Sequence, residues 1–170
     1  MTILIGCSGW SYDDWVGSFY PPELATRKGE WLAYYARYFR TVEINSTFYR
    51  PPGDRQVASW IQKGSKLKGF EYSLKMPKLV THEHMVREKT EDALREATAF
   101  ERSCIQPLHQ AGLLGSVLLQ LSPFFPQNAA NLKTLISVID SLSFLDYDYA
   151  VEFRHRSWLD GEGELIDPEA

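Results

Sequence analysis

Five short runs of β-branched and aliphatic residues punctuate the chain: Ile3-Leu4-Ile5-Gly6-Cys7-Ser8, Thr41-Val42-Glu43-Ile44-Asn45, Phe70-Glu71-Tyr72-Ser73-Leu74-Lys75, Ser116-Val117-Leu118-Leu119-Gln120-Leu121 and Tyr149-Ala150-Val151-Glu152-Phe153-Arg154. Each has the length and composition of a strand. Between them lie four stretches with helical spacing: 30–39, 54–63 opened by Asp54, 90–108 with Thr90 as cap and Glu91 and Asp92 in its first turn, and 128–142 capped by Asn128. Strand and helix alternate throughout, which predicts βαβ crossovers and a mostly parallel α/β sheet covered by helices.

Successive residues of a strand face opposite sides of the sheet, so each run splits into two sets. One set is apolar: Ile3, Ile5 and Cys7; Val42 and Ile44; Tyr72 and Leu74; Val117, Leu119 and Leu121; Val151 and Phe153. These predict the face that meets the helices. The opposite set is polar and concentrates toward the strand C-termini: Ser8, Glu43, Asn45, Ser73, Lys75, Gln120, Glu152 and Arg154. An open doubly wound sheet has helices on both faces and apolar residues on both. A TIM-type parallel (β/α) barrel instead turns one face inward and builds its site at the C-terminal mouth, so the parity favours the barrel. The strand-to-strand repeat is roughly 36 residues, and eight units would need about 290, within the range of such barrels. The chain reads as a single domain holding about five of eight strands, with Asp167-Pro168-Glu169 resembling the start of a further helix.

At 170 residues, 44% hydrophobic and 14% aromatic, the chain can bury a real core. A net charge of −4 gives no global attraction for nucleic acid, so such a partner would need a local cationic patch. Cys7 and Cys104 lie far apart without metal-type spacing and read as reduced packing residues. No apolar run approaches the length of a membrane span, and the expectation is a soluble cytoplasmic protein.

Five motifs carry a resemblance: Gly6-Cys7-Ser8-Gly9-Trp10-Ser11-Tyr12; Val42-Glu43-Ile44-Asn45-Ser46-Thr47-Phe48-Tyr49; Lys75-Met76-Pro77 followed by Thr81-His82; Gln120-Leu121-Ser122-Pro123; and Glu152-Phe153-Arg154-His155-Arg156-Ser157-Trp158. In this order they closely resemble the YecE-like family, domain of unknown function 72. The resemblance implies a TIM-type barrel of uncharacterised role, with a loose similarity of fold to the endonuclease IV and xylose isomerase group. It also implies further strands that this chain lacks.

Glu43 and Glu152 are the two inward carboxylates, and in an eight-stranded ring their strands lie nearly opposite. Paired carboxylates suit acid/base hydrolysis. They equally suit internal ion pairs, Glu43 with Lys75 and Glu152 with Arg154. Lys75 and Arg154 can hold an anion, with Arg156 and Arg50 near the rim. His82 is an acid/base candidate. His82 and His84 have a spacing able to hold a metal, but His155 and His109 complete no convincing set, and no metal site is expected. No cofactor is expected either, since Gly6 and Gly9 form neither a GxGxxG nor a GxxxxGK pattern. Most loop aromatics read as local cores; Trp10, Tyr49 and Trp158, beside the polar strand ends, read as stacking platforms.

Two functions follow. The first is a hydrolase or lyase acting on a phosphorylated or sugar-containing small molecule, with Glu43, Glu152 and His82 moving protons and Ser8, Asn45, Lys75, Gln120 and Arg154 orienting the ligand. The second is a non-catalytic binder of nucleic acid or oligosaccharide that uses Trp10, Tyr49 and Trp158.

Overall fold

The computed structural model describes residues 3–142 and 147–166. The alternating apolar runs become four parallel strands: β1 (Thr41–Ile44), β2 (Glu71–Lys75), β3 (Leu114–Gln120) and β4 (Asp148–Glu152), ordered β1-β2-β3-β4 across one sheet. Val42 lies beside Tyr72, Ile44 beside Leu74, Leu74 beside Val117 and Leu119 beside Val151, so the apolar parity set forms continuous rows. Those rows supply the centre of the core, where Val42, Tyr72, Leu74, Val117 and Leu119 are fully buried. Between β2 and β3 the register slips, the stretch from Tyr72 to Leu74 opposing one residue more, from Leu114 to Val117. Gly115 sits in that slip, because a Cβ there would lie 2.6 Å from the Glu71 carboxylate.

The helices are α1 (Trp31–Tyr35), α2 (Ser46–Tyr49), α3 (Asp54–Gly64), α4 (Thr90–Phe100), α5 (Gln106–Gln110) and α6 (Ala129–Ser141). The predicted helix over 90–108 is one helical run whose middle, Glu101–Ile105, widens to π geometry before Pro107 begins the last turns. Asn128 caps α6 as expected, accepting a hydrogen bond from the Asn131 N–H at 2.8 Å. Asp54 and Thr90 do not cap their helices: each lies inside the first turn, and the Thr90 hydroxyl meets that of Thr134 at 3.0 Å. Among the described residues no helix is long and apolar enough to cross a membrane.

The run from Ile3 to Ser8 departs from expectation. It pairs with the sheet through a single parallel bridge, Ser8 to Glu43, rather than as a full strand. Ile3 and Ile5 are 82% and 71% exposed, so they do not meet the helices. The physical reason is position: the run lies at an edge, with β1 on one side and no described strand on the other. The predicted helix start at Asp167 lies outside the described residues.

The edge run is held by Tyr35. Its buried hydroxyl accepts from the Cys7 N–H at 2.7 Å and donates to the Thr41 carbonyl at 2.9 Å, joining the run to the start of β1. Further along, Tyr20 stacks on Trp31 with centroids 4.8 Å apart and donates its hydroxyl to the Trp10 carbonyl. Trp31 in turn donates its indole N–H to the Leu24 carbonyl at 2.7 Å. The long first loop therefore has a small aromatic core of its own, which fixes Trp10 near the strand ends.

Replacing Tyr35 by Phe leaves the ring and removes the bridge, orphaning two backbone groups. We expect a cost of about 1–3 kcal/mol, read as a fall in Tm of roughly 3–10 °C, with faster hydrogen exchange at the Cys7 amide. An unchanged exchange rate would show that the hydroxyl does not hold the edge.

Candidate functional site

The polar parity set lies on the second face of the sheet. Glu43 pairs with Ser73, Lys75 with Leu118, and Gln120 with Glu152 across neighbouring strands. Each strand thus delivers its last side chain on that face to a common end: Glu43 from β1, Lys75 from β2, Gln120 from β3 and Glu152 from β4.

These groups make two bonded clusters set along one row. Glu43 Oε1 accepts from the Ser8 hydroxyl at 2.8 Å and lies 3.5 Å from Lys75 Nζ. Among the described residues its second oxygen has no hydrogen-bond partner. Glu152 accepts from the Gln120 amide at 2.8 Å through Oε2 and from Arg154 Nε at 2.6 Å through Oε1. Burial alone would raise the Glu152 carboxyl, but the hydrogen bonds from Arg154 and Gln120 and the charges of Arg154 and Lys75 outweigh it and hold it below its ordinary value. Glu152 is therefore a standing negative charge at neutral pH.

His82 closes the row from a different element. After β2 the chain turns through Leu79–His84 in π geometry, with the Met85 N–H donating to the Val80 carbonyl at 3.0 Å. Such wide turns are frequent at functional sites because they re-aim side chains. The His82 ring stands edge-on to Phe48 at 5.0 Å, and Phe48 also carries Lys75 Nζ 5.7 Å from its centroid. His82 Nδ1 lies 2.9 Å from the buried Thr81 hydroxyl, and its Nε2 has no hydrogen-bond partner among the described residues. Burial first, then the charges of Arg154, Lys75 and Lys78, lower its pKa from 6.5, so the imidazole is neutral at pH 7. His84 instead turns toward Asp92, 4.0 Å away. Among the described residues no three His, Cys, Asp or Glu side chains are grouped to hold a metal ion.

A cavity of about 410 Å³ adjoins the row and shares Glu43 with it; Trp10, Asn45, Tyr49, Gln56 and Trp60 line the rest of its functional wall. Trp158 is elsewhere. It is 5% exposed, its ring packs against Phe125 and Phe153, and its indole N–H donates to the Phe125 carbonyl at 2.8 Å. Its apolar surface is spent on the core, so it offers no platform to a ligand. Thus Ser8, Glu43, Lys75 and His82 gather on one side, Gln120, Glu152 and Arg154 on the other, and Trp10, Asn45 and Tyr49 beside Glu43.

Sequence reasoning missed four residues. Gln56 and Trp60 are four apart on α3 and share a face, a spacing visible in the sequence once the helix is drawn. Phe48 and Thr47 follow β1 directly. Buried Thr47 accepts from the Lys75 N–H at 3.2 Å, and its hydroxyl lies 2.8 Å from the Ile44 carbonyl, tying the ends of β1 and β2. Nothing in a single sequence marks a threonine for that role.

Comparison with known proteins places the chain in a family and a fold. The chain is 29% identical to the YunF protein of Bacillus subtilis over 156 residues, covering 92% of this chain and 52% of YunF. It is 30% identical to the YecE protein of Escherichia coli K12 over 153 residues, 90% of this chain and 48% of YecE. It therefore spans about half the length of the curated relatives it matches. Among solved structures it is similar to a DUF72 family protein from Thermotoga maritima, with a TM-score of 0.76 and 33% identity, covering 94% of this chain and 58% of that one. A DUF72 family protein from Enterococcus faecalis shares the fold at a TM-score of 0.71 and 23% identity, covering 95% of this chain and 54% of that one. Residues 4–167 match the family described as protein of unknown function DUF72, and the chain belongs to that family.

Proposed function

We propose that the strand C-terminal ends form an acid/base site of hydrolase or lyase type for a phosphorylated or sugar-containing substrate. The observation that carries this reading is the row Glu43, Lys75, His82, Arg154 and Glu152, set at one end of one sheet face beside an open cavity. A structural interior of a parallel barrel is filled with branched apolar residues, and a row of five ionisable groups is a costly substitute. We read the open sheet as an arc of a TIM-type barrel. Its sequential all-parallel order, polar inner face and relatives about twice as long support that reading. The free thiols Cys7 and Cys104, the latter pushed up to about 12 by burial, support a reducing cytoplasmic setting.

Within the row, roles divide by protonation. His82, neutral at pH 7, takes a proton from water or from the substrate through Nε2. Glu152 stays ionised and fixes the Arg154 guanidinium, whose remaining N–H groups can meet a phosphate or a developing negative charge. Lys75 stands between the two carboxylates, 3.5 Å from Glu43 and with its charge acting on Glu152. Glu43 presents its unpartnered oxygen as the second proton-handling or hydroxyl-binding group. The alternative, a non-catalytic nucleic-acid or oligosaccharide binder, retains Trp10 and Tyr49 but loses Trp158 as a platform.

Screening the protein against sugar phosphates and aryl glycosides should reveal a turned-over substrate. H82N should then lower kcat by about 10²–10⁴, and the wild-type acid limb should fall below pH 6.5, since the lowered pKa keeps the base form present down to lower pH. An acid limb above pH 6.5, or full activity in H82N, removes His82 from the mechanism.

A separate expectation concerns Glu152. Its carboxyl is held below the ordinary 4.5, so the stability it contributes is present above that pH and lost as the pH falls below it. E152Q should flatten the acid side of the stability profile in thermal unfolding from pH 6 to 3, and a profile parallel to wild type would show that the charge is not held by the fold.

A further inference from the structure

The cavity beside Glu43 continues into a second one of about 560 Å³, and the two share Ser46 and Gln56. Together they make a groove between the first loop and the α2–α3 region, each part within the roughly 300–1,000 Å³ typical of small-ligand sites. Three observations describe what would fit it. First, the inner part is walled by aromatic rings at different depths: Trp60 is nearly buried at its base, while Tyr49 is 67% exposed and stands edge-on to Phe48 with centroids 5.2 Å apart. A large aromatic ring left in solvent above a cavity is a one-sided stacking surface.

Second, the polar groups around those rings are unspent. Among the described residues the side-chain amides of Asn45 and Gln56 make no hydrogen bond, and one Glu43 oxygen is unpartnered. An amide pair and a carboxylate beside an aromatic wall match the rim of hydroxyls on a sugar ring. Third, the outer part holds Arg50, exposed and without an acidic partner among the described residues. The cations of the row are already engaged, Lys75 by Glu43 and Arg154 by Glu152, and among the residues lining the groove Arg50 is the cation left to receive an anion.

We propose that this groove binds a sugar that carries an anionic group, with the ring against Tyr49 and Trp10, its hydroxyls on Glu43, Asn45 and Gln56, and the anion at Arg50. The inference rests on the acid/base site proposed above only for its link to chemistry: Glu43, common to both, would bring one edge of the bound ring to the row. The anion is a phosphate ester or a uronic carboxylate, since a guanidinium recognises both through the same fork.

Trp10 and Trp60 line the groove, so intrinsic fluorescence of the intact protein reports occupancy. The probes are glucose 6-phosphate, glucuronate, glucose, inorganic phosphate and adenosine monophosphate. Saturable binding of glucose 6-phosphate or glucuronate, tighter than glucose or phosphate alone, is the expected result, and which of the two binds tells phosphate from carboxylate. R50A should weaken the anionic sugars by about tenfold or more while leaving glucose unchanged. Y49A should weaken all three sugars, and both variants should keep the wild-type Tm because both side chains are exposed. Preference for adenosine monophosphate over every sugar, phosphate binding as tightly as the sugar phosphate, an R50A protein indistinguishable from wild type, or no binding of any probe each overturns the inference. H82N separates it from the acid/base reading. Unchanged probe binding with lost turnover supports both, binding without turnover in wild type leaves only the groove, and turnover of substrates that never compete for the groove leaves only the row.

Discussion

A charged side chain on one face of a parallel sheet finds its strand-borne partners at its own level, because the register fixes the height at which each side chain leaves its strand. The register of the four strands is therefore what the rest of the site depends on. With Glu43 beside Ser73, Lys75 two residues further along β2, and Gln120 opposite Glu152, each carboxylate arrives where a cation or amide can reach it. A slip of one residue in β1 would turn Glu43 into the helix layer and Val42 or Ile44 into the row. Thr47 guards against that slip at the open ends of β1 and β2, and Tyr35 does so at the start of β1, where it also carries the edge run.

Much of this was legible in the sequence because strand parity is a local property. Alternation sorts Val42 from Glu43 and Leu74 from Lys75 without any knowledge of neighbours, and burial in the structure follows the same division. The ion pairs Glu43 with Lys75 and Glu152 with Arg154 were legible for the same reason, one from adjacent strands and the other from two residues of spacing. What parity cannot supply is the fate of a run with one neighbour. Ile3-Leu4-Ile5 has the composition of a strand, yet strand formation depends on ladder partners, and only the Ser8 bridge to Glu43 is made.

The aromatics show a different limit. Trp10 follows the edge run and Trp158 follows β4, and composition does not separate them. One lines a cavity because Tyr20 anchors its carbonyl within the loop; the other stacks into the core because Phe125, which follows β3, lies at its level and offers a carbonyl to the indole N–H. For Trp158 that choice is made by packing between residues 33 apart, and for Trp10 by a contact ten residues along its own loop. His82 belongs to the same class. Its ring is aimed by the wide turn Leu79–His84 and framed by Phe48, neither of which has a sequence signature.

The charge balance of the row narrows what the site can accept. Glu43 and Glu152 are matched by Lys75 and Arg154, and His82 adds no charge at neutral pH. A balanced row tolerates burial beneath a bound ligand, since no lone charge is stranded when water leaves. It also means that an anionic ligand gains little from the row in its resting state unless it displaces a carboxylate from a cation. A ligand that places its negative charge on Arg50 and a neutral, hydroxyl-bearing ring toward Glu43 meets both conditions without breaking either pair. The proton affinity of His82 then becomes the variable of the site, because any shift in how Lys75 and Arg154 are neutralised acts directly on that imidazole.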